Sequence, residues 1–212
     1  MKHFRYLLGL AGLWLAAAAL AGCHLLSPVP DKSRFFLLTP MTASEAASPA
    51  AAPATSGLIL GLGPIKFPAY LDRTEVVTRV EPNRLVVSEN DHWGESLKTN
   101  FTRVLSQNLS TLLATQQIVN FPWYSSTHLD YAITIEVTRF EADAQGTAQL
   151  SAQWSIENPT TRKVLNRGES NLSAPGASGA DASAAALSQV LGNFSRQLAI
   201  AVGQVNAQRH LR

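Results

Sequence analysis

The sequence predicts an α+β fold: a single two-layer domain in which two amphipathic helices pack on one face of a mainly antiparallel sheet. Three observations carry this. Leu129, Tyr131, Ile133, Ile135 and Val137 alternate with Asp130, Thr134, Glu136 and Thr138, and Ala148, Leu150, Ala152, Trp154 and Ile156 alternate with polar neighbours, as half-buried strands do. Trp93, Leu97, Phe101, Val104, Leu105, Leu112 and Leu113 recur at steps of three and four, and Leu187, Val190, Leu191, Phe194, Leu198 and Val202 do so again near the end. The order is therefore strands, helix, strands, helix, and two one-sided helices cover one apolar sheet face most economically.

In chain order, Phe35-Phe36-Leu37-Leu38 between turn-forming residues suits a first strand over about 34–39. Residues 40–57 are rich in alanine, proline, serine and threonine and predict a flexible loop, too poor in large side chains to offset its ordering entropy. Leu58 to Ile65 is a buried-type strand, in which Gly61 and Gly63 permit close backbone approach. Thr74–Val80 and Arg84–Ser88, rich in β-branched residues, flank the turn Glu81-Pro82-Asn83 and predict a hairpin. A helix follows from His92 to about Thr115, capped by Asn90 or Asp91. After the two alternating strands, Asn158-Pro159-Thr160-Thr161 turns the chain into a third strand over about 162–173. Asp181 or Ser183 caps the closing helix, which frays near Gln208.

The start of the chain has the build of a secretion signal. Lys2, His3 and Arg5 precede an apolar run from Tyr6 to Ala21, and the run ends in Leu20-Ala21-Gly22-Cys23. An aliphatic residue, two small ones and a cysteine match the lipobox of bacterial lipoprotein precursors. Residues 1–22 are thus expected to be removed, Cys23 to be lipidated, and residues 23–33 to tether the lipid to a domain over 34–208. Cys23 is the only cysteine, which excludes a disulfide within the chain and a cysteine-based metal site. His24, where aspartate would retain a lipoprotein at the inner membrane of enteric-type bacteria, favours the periplasmic face of the outer membrane.

Charge points away from nucleic acid. Of 17 Lys and Arg, Lys2 and Arg5 lie in the signal, so the remaining 15 balance 15 Asp and Glu. No basic stripe with interleaved aromatics is visible. Local motifs for catalysis are also missing. The five histidines, His3, His24, His92, His128 and His210, lack helical ligand spacing, and Gly61-Leu62-Gly63 lacks the third glycine of a dinucleotide loop. No cofactor is expected beyond the covalent lipid, and no enzymatic activity. One feature invites a functional role. Tyr70, Leu71, Asp72 and Arg73 place an aromatic, an aliphatic and an opposite-charge pair in a short connector between strands, a candidate interface or a purely structural turn.

Tyr70-Leu71-Asp72-Arg73-Thr74-Glu75-Val76-Val77-Thr78-Arg79 resembles the Tyr-Leu-Asp-Arg-Pro-Gln-Ile-Val-Thr-Arg run of the PqiC-like (YmbA-like) ABC-type transport auxiliary lipoproteins. His92-Trp93-Gly94-Glu95-Ser96-Leu97 and Phe101-Thr102-Arg103-Val104-Leu105 are similar to that family's Arg-Trp-Ala-Glu-Pro-Leu and Phe-x-Arg-Val-Leu segments. Thr74 and Ser96 depart from proline, His92 from arginine, and the insert at 40–57 is additional. The resemblance implies a non-enzymatic accessory subunit of an intermembrane lipid-transport system. Its expected partners are an MCE-domain lipid-transport protein, the associated inner-membrane permease system and further copies of itself, and its expected role is outer-membrane integrity. A lipoprotein regulator of a cell-wall synthase would share the anchor and the small α+β domain, and is the alternative.

Replacing Cys23 with alanine should abolish incorporation of labelled palmitate, because no other part of the chain carries an acceptor thiol. Lipid still acquired by that variant would exclude the lipobox.

Overall fold

The computed structural model describes residues 30–46, 57–124 and 126–210. The signal, Cys23 and most of the tether lie outside them, as does the stretch 47–56. Eight strands and three helices follow in order: β1 (Arg34–Phe36), α1 (Ala43–Ala46), β2 (Leu60–Lys66), β3 (Glu75–Glu81), β4 (Arg84–Trp93), α2 (Leu97–Leu112), β5 (Ile118–Asn120), β6 (Tyr131–Asp143), β7 (Ala148–Glu157), β8 (Val164–Ala174) and α3 (Ala180–His210). The fold is α+β, a single sheet with both long helices on its apolar face.

The three antiparallel ladders, β3–β4, β6–β7 and β7–β8, carry most of the pairing. Short parallel pairings join β1 to β4, β2 to β5, and both β2 and β3 to β6. At 13 residues, β6 is the spine of the sheet. One of its edges is lined by β7, while the other is shared, with β2 along its first half and β3 at its last two residues.

Alternation along β6 changes phase once. Ile133, Ile135 and Val137 pair with Ile156, Trp154 and Ala152, but Arg139 pairs with Ser151, leaving Thr138 as the extra residue of a β-bulge. Beyond it Phe140 and Ala142 face the helices. Phe140 then meets Phe101 of α2 edge to face at 5.1 Å, Phe101 meets Phe67 in the same way at 5.1 Å, and Phe194 of α3 lies 6.4 Å from Phe101. Phe101, Phe140 and Phe194 are all fully buried.

Strand β2 is buried on both faces, as suits an internal strand between parallel neighbours. Its glycines are required by contact. A Cβ at Gly61 would stand 2.8 Å from Leu129 and 3.0 Å from the Trp123 ring, and one at Gly63, where φ is +120°, would stand 2.7 Å from Phe121. In the same manner Gly168 of β8 leaves room for Trp154 on β7, whose indole donates to Ser170, and Ser170 donates to Gln197 of α3.

Several elements differ from the sequence reading: β1 ends at Phe36, β4 extends to Trp93, and the closing helix starts at Ala180, so that Asp181 and Ser183 lie within its first turn and do not cap it. The first long helix begins at Leu97 and not at His92, because Trp93 ends β4 with its N–H on the Thr74 carbonyl. Trp93 and Leu97 stand four apart, which imitates helical spacing, yet Ser96 is the cap and accepts from the Thr99 N–H at 3.2 Å. Asp91 instead pairs with Arg34 at 2.7 Å. The parallel strand β5, three residues long, was not foreseen in a segment without alternation.

The stretch 40–57, expected to be a flexible loop throughout, carries the helical turn α1 against the long helices. Met41 donates its backbone N–H to Asn108 at 2.9 Å, and Arg196 donates to the Glu45 carbonyl at 3.0 Å. Thr42 and Glu45 cap each other's ends of this turn, with the Glu45 carboxylate accepting from the Thr42 N–H at 2.6 Å. Asn108 also donates to Ser195 of α3 at 3.1 Å, so one buried amide holds the strap and both helices. Asn108→Ala should cost about 1 to 3 kcal/mol through the partners it strands. At roughly 2 to 4 °C per kcal/mol in a domain of this size, calorimetry should show a thermal midpoint several degrees lower. An unchanged midpoint would mean that the strap adds nothing to stability.

Candidate functional site

The connector between β2 and β3 is built from the backbone outward. After Pro68 the chain makes a single 3-10 turn over Ala69–Leu71, with the Leu71 N–H on the Pro68 carbonyl at 3.0 Å and the Asp72 N–H on the Ala69 carbonyl at 3.1 Å. Such a turn projects successive side chains in different directions. Leu71 points into the core, 2% exposed. Tyr70 is half-buried against the edge of the core, while Asp72 and Arg73 stand exposed.

Beneath Tyr70 lies Glu141, placed there by the phase change at Thr138. Its carboxylate has no solvent exposure. One oxygen accepts from Arg79 Nε at 2.6 Å and from Arg139 Nε at 2.8 Å, and the other accepts from the Tyr70 hydroxyl at 2.8 Å and the Phe140 N–H at 3.2 Å. The Arg79 guanidinium also lies 5.8 Å from the Tyr70 ring centre and donates to the Pro82 carbonyl. A buried carboxylate satisfied by four donors is a fixed post, and it ties β2–β3, the β3–β4 hairpin and β6 together. Burial, reinforced by the Glu141 carboxylate, pushes the Tyr70 phenol up to about 12. The hydrogen bond that Arg79 donates to Glu141 raises the affinity of Arg79 for its proton.

Of the four candidate interface residues, the structure thus uses Tyr70 and Leu71 to fasten the connector. The side chains of Asp72 and Arg73 make no hydrogen bond or ion pair with another described residue, so the local pairing of Arg73 with Asp72 or Glu75 is absent. Sequence reasoning missed Glu141, Arg79 and Arg139. The available signal was the switch of apolar residues from odd to even positions between Val137 and Phe140, which puts Glu141 and Arg139 on one face. Tyr70 and Arg79, which begin and end the ten-residue run singled out above, are the two residues that converge on Glu141.

Among the described residues no group of three or more His, Cys, Asp or Glu is placed to hold a metal ion. No described helix is long and apolar enough to cross a membrane. The grooves described on the surface are open and of mixed polarity. One, of about 700 Å³, runs over the uncovered sheet face past Lys66, Thr134, Glu136, Trp154, Arg167 and Glu169. A second, of about 640 Å³, lies between the 123–129 segment and the β7–β8 turn.

Tyr70→Phe removes one donor from a buried carboxylate and should cost about 1 to 3 kcal/mol at neutral pH. Because the folded phenol is held above its unfolded value, its contribution is complete below about pH 10 and is lost as pH rises toward 12. The gap in thermal midpoint between wild type and Tyr70→Phe should therefore close over that range. A gap that is constant up to pH 12 would show that the hydroxyl does not report on this bond.

Comparison with known proteins agrees with this architecture. The solved structure of XCC0632 from Xanthomonas campestris, assigned to the DUF330 family, matches with a TM-score of 0.69 and 18% identity over 84% of this chain and 100% of that one. A second solved structure, of an uncharacterised protein, matches with a TM-score of 0.59 and 18% identity over 81% of this chain and 97% of its own. At that identity both support the fold alone. No curated protein matches the sequence. A family model described as the ABC-type transport auxiliary lipoprotein component matches residues 36–199, and the chain belongs to that family.

Proposed function

We propose that the protein is the lipid-anchored periplasmic accessory subunit of an MCE-type intermembrane lipid-transport system, held by Cys23 on the outer membrane and supporting its integrity. The family supplies the coarser statement, a lipoprotein that is an auxiliary component of transport and not a class of enzyme. The observation that carries the finer one is the connector. Its anchoring residues are locked by Glu141 and the core, while two adjacent opposite charges, Asp72 and Arg73, stand exposed without partners among the described residues. A rigid turn that presents unpaired charges binds with little ordering cost, and opposite charges side by side select a partner of the complementary pattern.

The grooves support an accessory role over that of a lipid carrier. A site that encloses acyl chains is an enclosed, mostly apolar cavity, whereas the two grooves described here are open, with charged and hydroxyl side chains beside Trp154 in one and beside Trp123 and Leu129 in the other. Transport energy must come from a partner, since the chain has no Walker motif. The protein would act by docking the MCE subunit and assembling with further copies of itself at the end of the conduit.

Asp72→Ala combined with Arg73→Ala should leave the thermal midpoint unchanged, as exposed substitutions usually fall within about 0.5 kcal/mol. Affinity for the MCE partner of the same system, measured by surface plasmon resonance, should fall at least about tenfold, which corresponds to 1.4 kcal/mol. Wild-type affinity in a folded double variant would exclude the connector as the docking site. Capture of a cell-wall synthase in place of an MCE protein by the lipidated wild type would overturn the transport reading itself.

A further inference from the structure

The first ordered element after the tether leaves two large apolar side chains in solvent. Phe35 is 69% exposed and Leu37 50%, while Leu38 turns inward to 1%. Residues two apart on an extended segment share a side. Both are held in place. The Phe35 ring sits 5.7 Å from the His92 imidazole, and Leu37 lies over Gly94, where an added Cβ would come within 3.3 Å of it. The Gly94 N–H on the Phe36 carbonyl, at 2.9 Å, fixes the backbone between them. β1 pairs with β4 alone and forms one edge of the sheet.

We propose that Phe35 and Leu37 dock on the surface of the same bilayer that holds the Cys23 lipid, inserting among its headgroups and fixing which way the domain hangs. This rests on the lipid anchor of the proposed function. The occupant follows from chain length. Phe35 lies twelve residue steps beyond Cys23, so at about 3.6 Å per extended step its backbone lies within roughly 43 Å of the lipidated end. Confinement of that kind makes contact with the bilayer effectively intramolecular, and a pair of side chains too small to bind a membrane alone suffices. A protein partner would require a far larger patch, about 800 Å² on each side, and a three-residue strand offers little free edge for pairing with a second copy.

Because Cys23 is the only cysteine and its thiol carries the lipid, Leu37→Cys can take a nitroxide label at a single site. The lipidated protein is placed in vesicles of phosphatidylethanolamine and phosphatidylglycerol, and collisions of the label with a water-soluble nickel chelate and with oxygen are compared. Lys163→Cys, at the turn that leads into the opposite edge strand β8, is the control. The label at 37 should lose its nickel collisions and gain oxygen collisions, the label at 163 should keep its nickel collisions, and Phe35→Asp added to Leu37→Cys should restore them at 37 with no change in thermal midpoint. A label at 37 as open to nickel as that at 163, on protein whose N-terminal peptide carries acyl chains by mass, overturns the docking and leaves the anchor standing. An N-terminal peptide without acyl chains overturns both. Shielding that persists in lipid-free protein beginning at residue 24 assigns the cover to a second copy and overturns the bilayer.

Discussion

The bulge at Thr138 is the constraint on which the rest of the structure depends. One extra residue in β6 shifts its pleat, so that an odd-numbered apolar face before Val137 becomes an even-numbered one from Phe140 onward, while β7 keeps an unbroken alternation opposite. Without the shift Phe140 would point to solvent and Glu141 into the helices. With it, Phe140 joins Phe101, Phe67 and Phe194 in an aromatic cluster that spans sheet and helices, and Glu141 turns to the uncovered face. Loss of one such phenylalanine side chain from a core typically costs about 3 to 5 kcal/mol, a large share of a domain's net stability.

The same bulge organises the uncovered face. Glu141 lies where β3 takes over from β2 along the edge of β6, so the connector between those two strands has to cross directly above it. A carboxylate without solvent exposure is tolerable only when its lone pairs are filled, and the connector supplies Tyr70 while the strands supply Arg79 and Arg139. Core and connector are therefore set by one backbone feature. The helices are joined by a separate device, the Asn108 amide between Ser195 and the Met41 backbone, which fixes their relative rotation more strictly than apolar contact does.

How much of this was legible in the sequence depended on whether each signal was local. The β3–β4 hairpin, both long helices and the β6–β7–β8 meander rest on periodicity and turn residues within a few positions of each other, and all are present, although β4 runs on to Trp93 and the closing helix starts at Ala180, ahead of both expected caps, Asp181 and Ser183. Gly61 and Gly63 were legible as sites of close approach, although their partners Trp123, Leu129 and Phe121, some 60 residues away, were not. Parallel pairing leaves no turn between partners, which hid β5 and the docking of β1 on β4. Helical spacing between Trp93 and Leu97 moved the helix start too early, because a strand's last apolar residue and a helix's first satisfied the same template. The strap over 40–46 was hidden for a different reason: its composition is loop-like, and its order comes from backbone hydrogen bonds that distant residues provide. At the candidate site, the four residues of the connector were visible as a cluster, but their division into two anchors and two free charges depends on Glu141, which lies 71 positions from Tyr70.

That division bears on how the proposed docking could be selective, given that residues 23–212 carry no net charge. Fifteen cations balance fifteen anions, and many pair off at the surface, as Arg34 does with Asp91, Arg103 with Glu95 and Arg209 with Asp130. Long-range steering of a partner is then weak, and such exposed pairs add little to stability. In the proposed docking role, recognition would fall on short-range contacts at groups that are unpaired among the described residues and already oriented. Asp72 and Arg73 meet both conditions because Tyr70 on one side and β3 on the other fix the backbone between them. A flexible loop with the same two charges would lose conformational entropy on binding that this connector has already given up on folding. In the proposed docking role the buried carboxylate would link stability to function, because the energy that satisfies Glu141 also preorganises the surface above it.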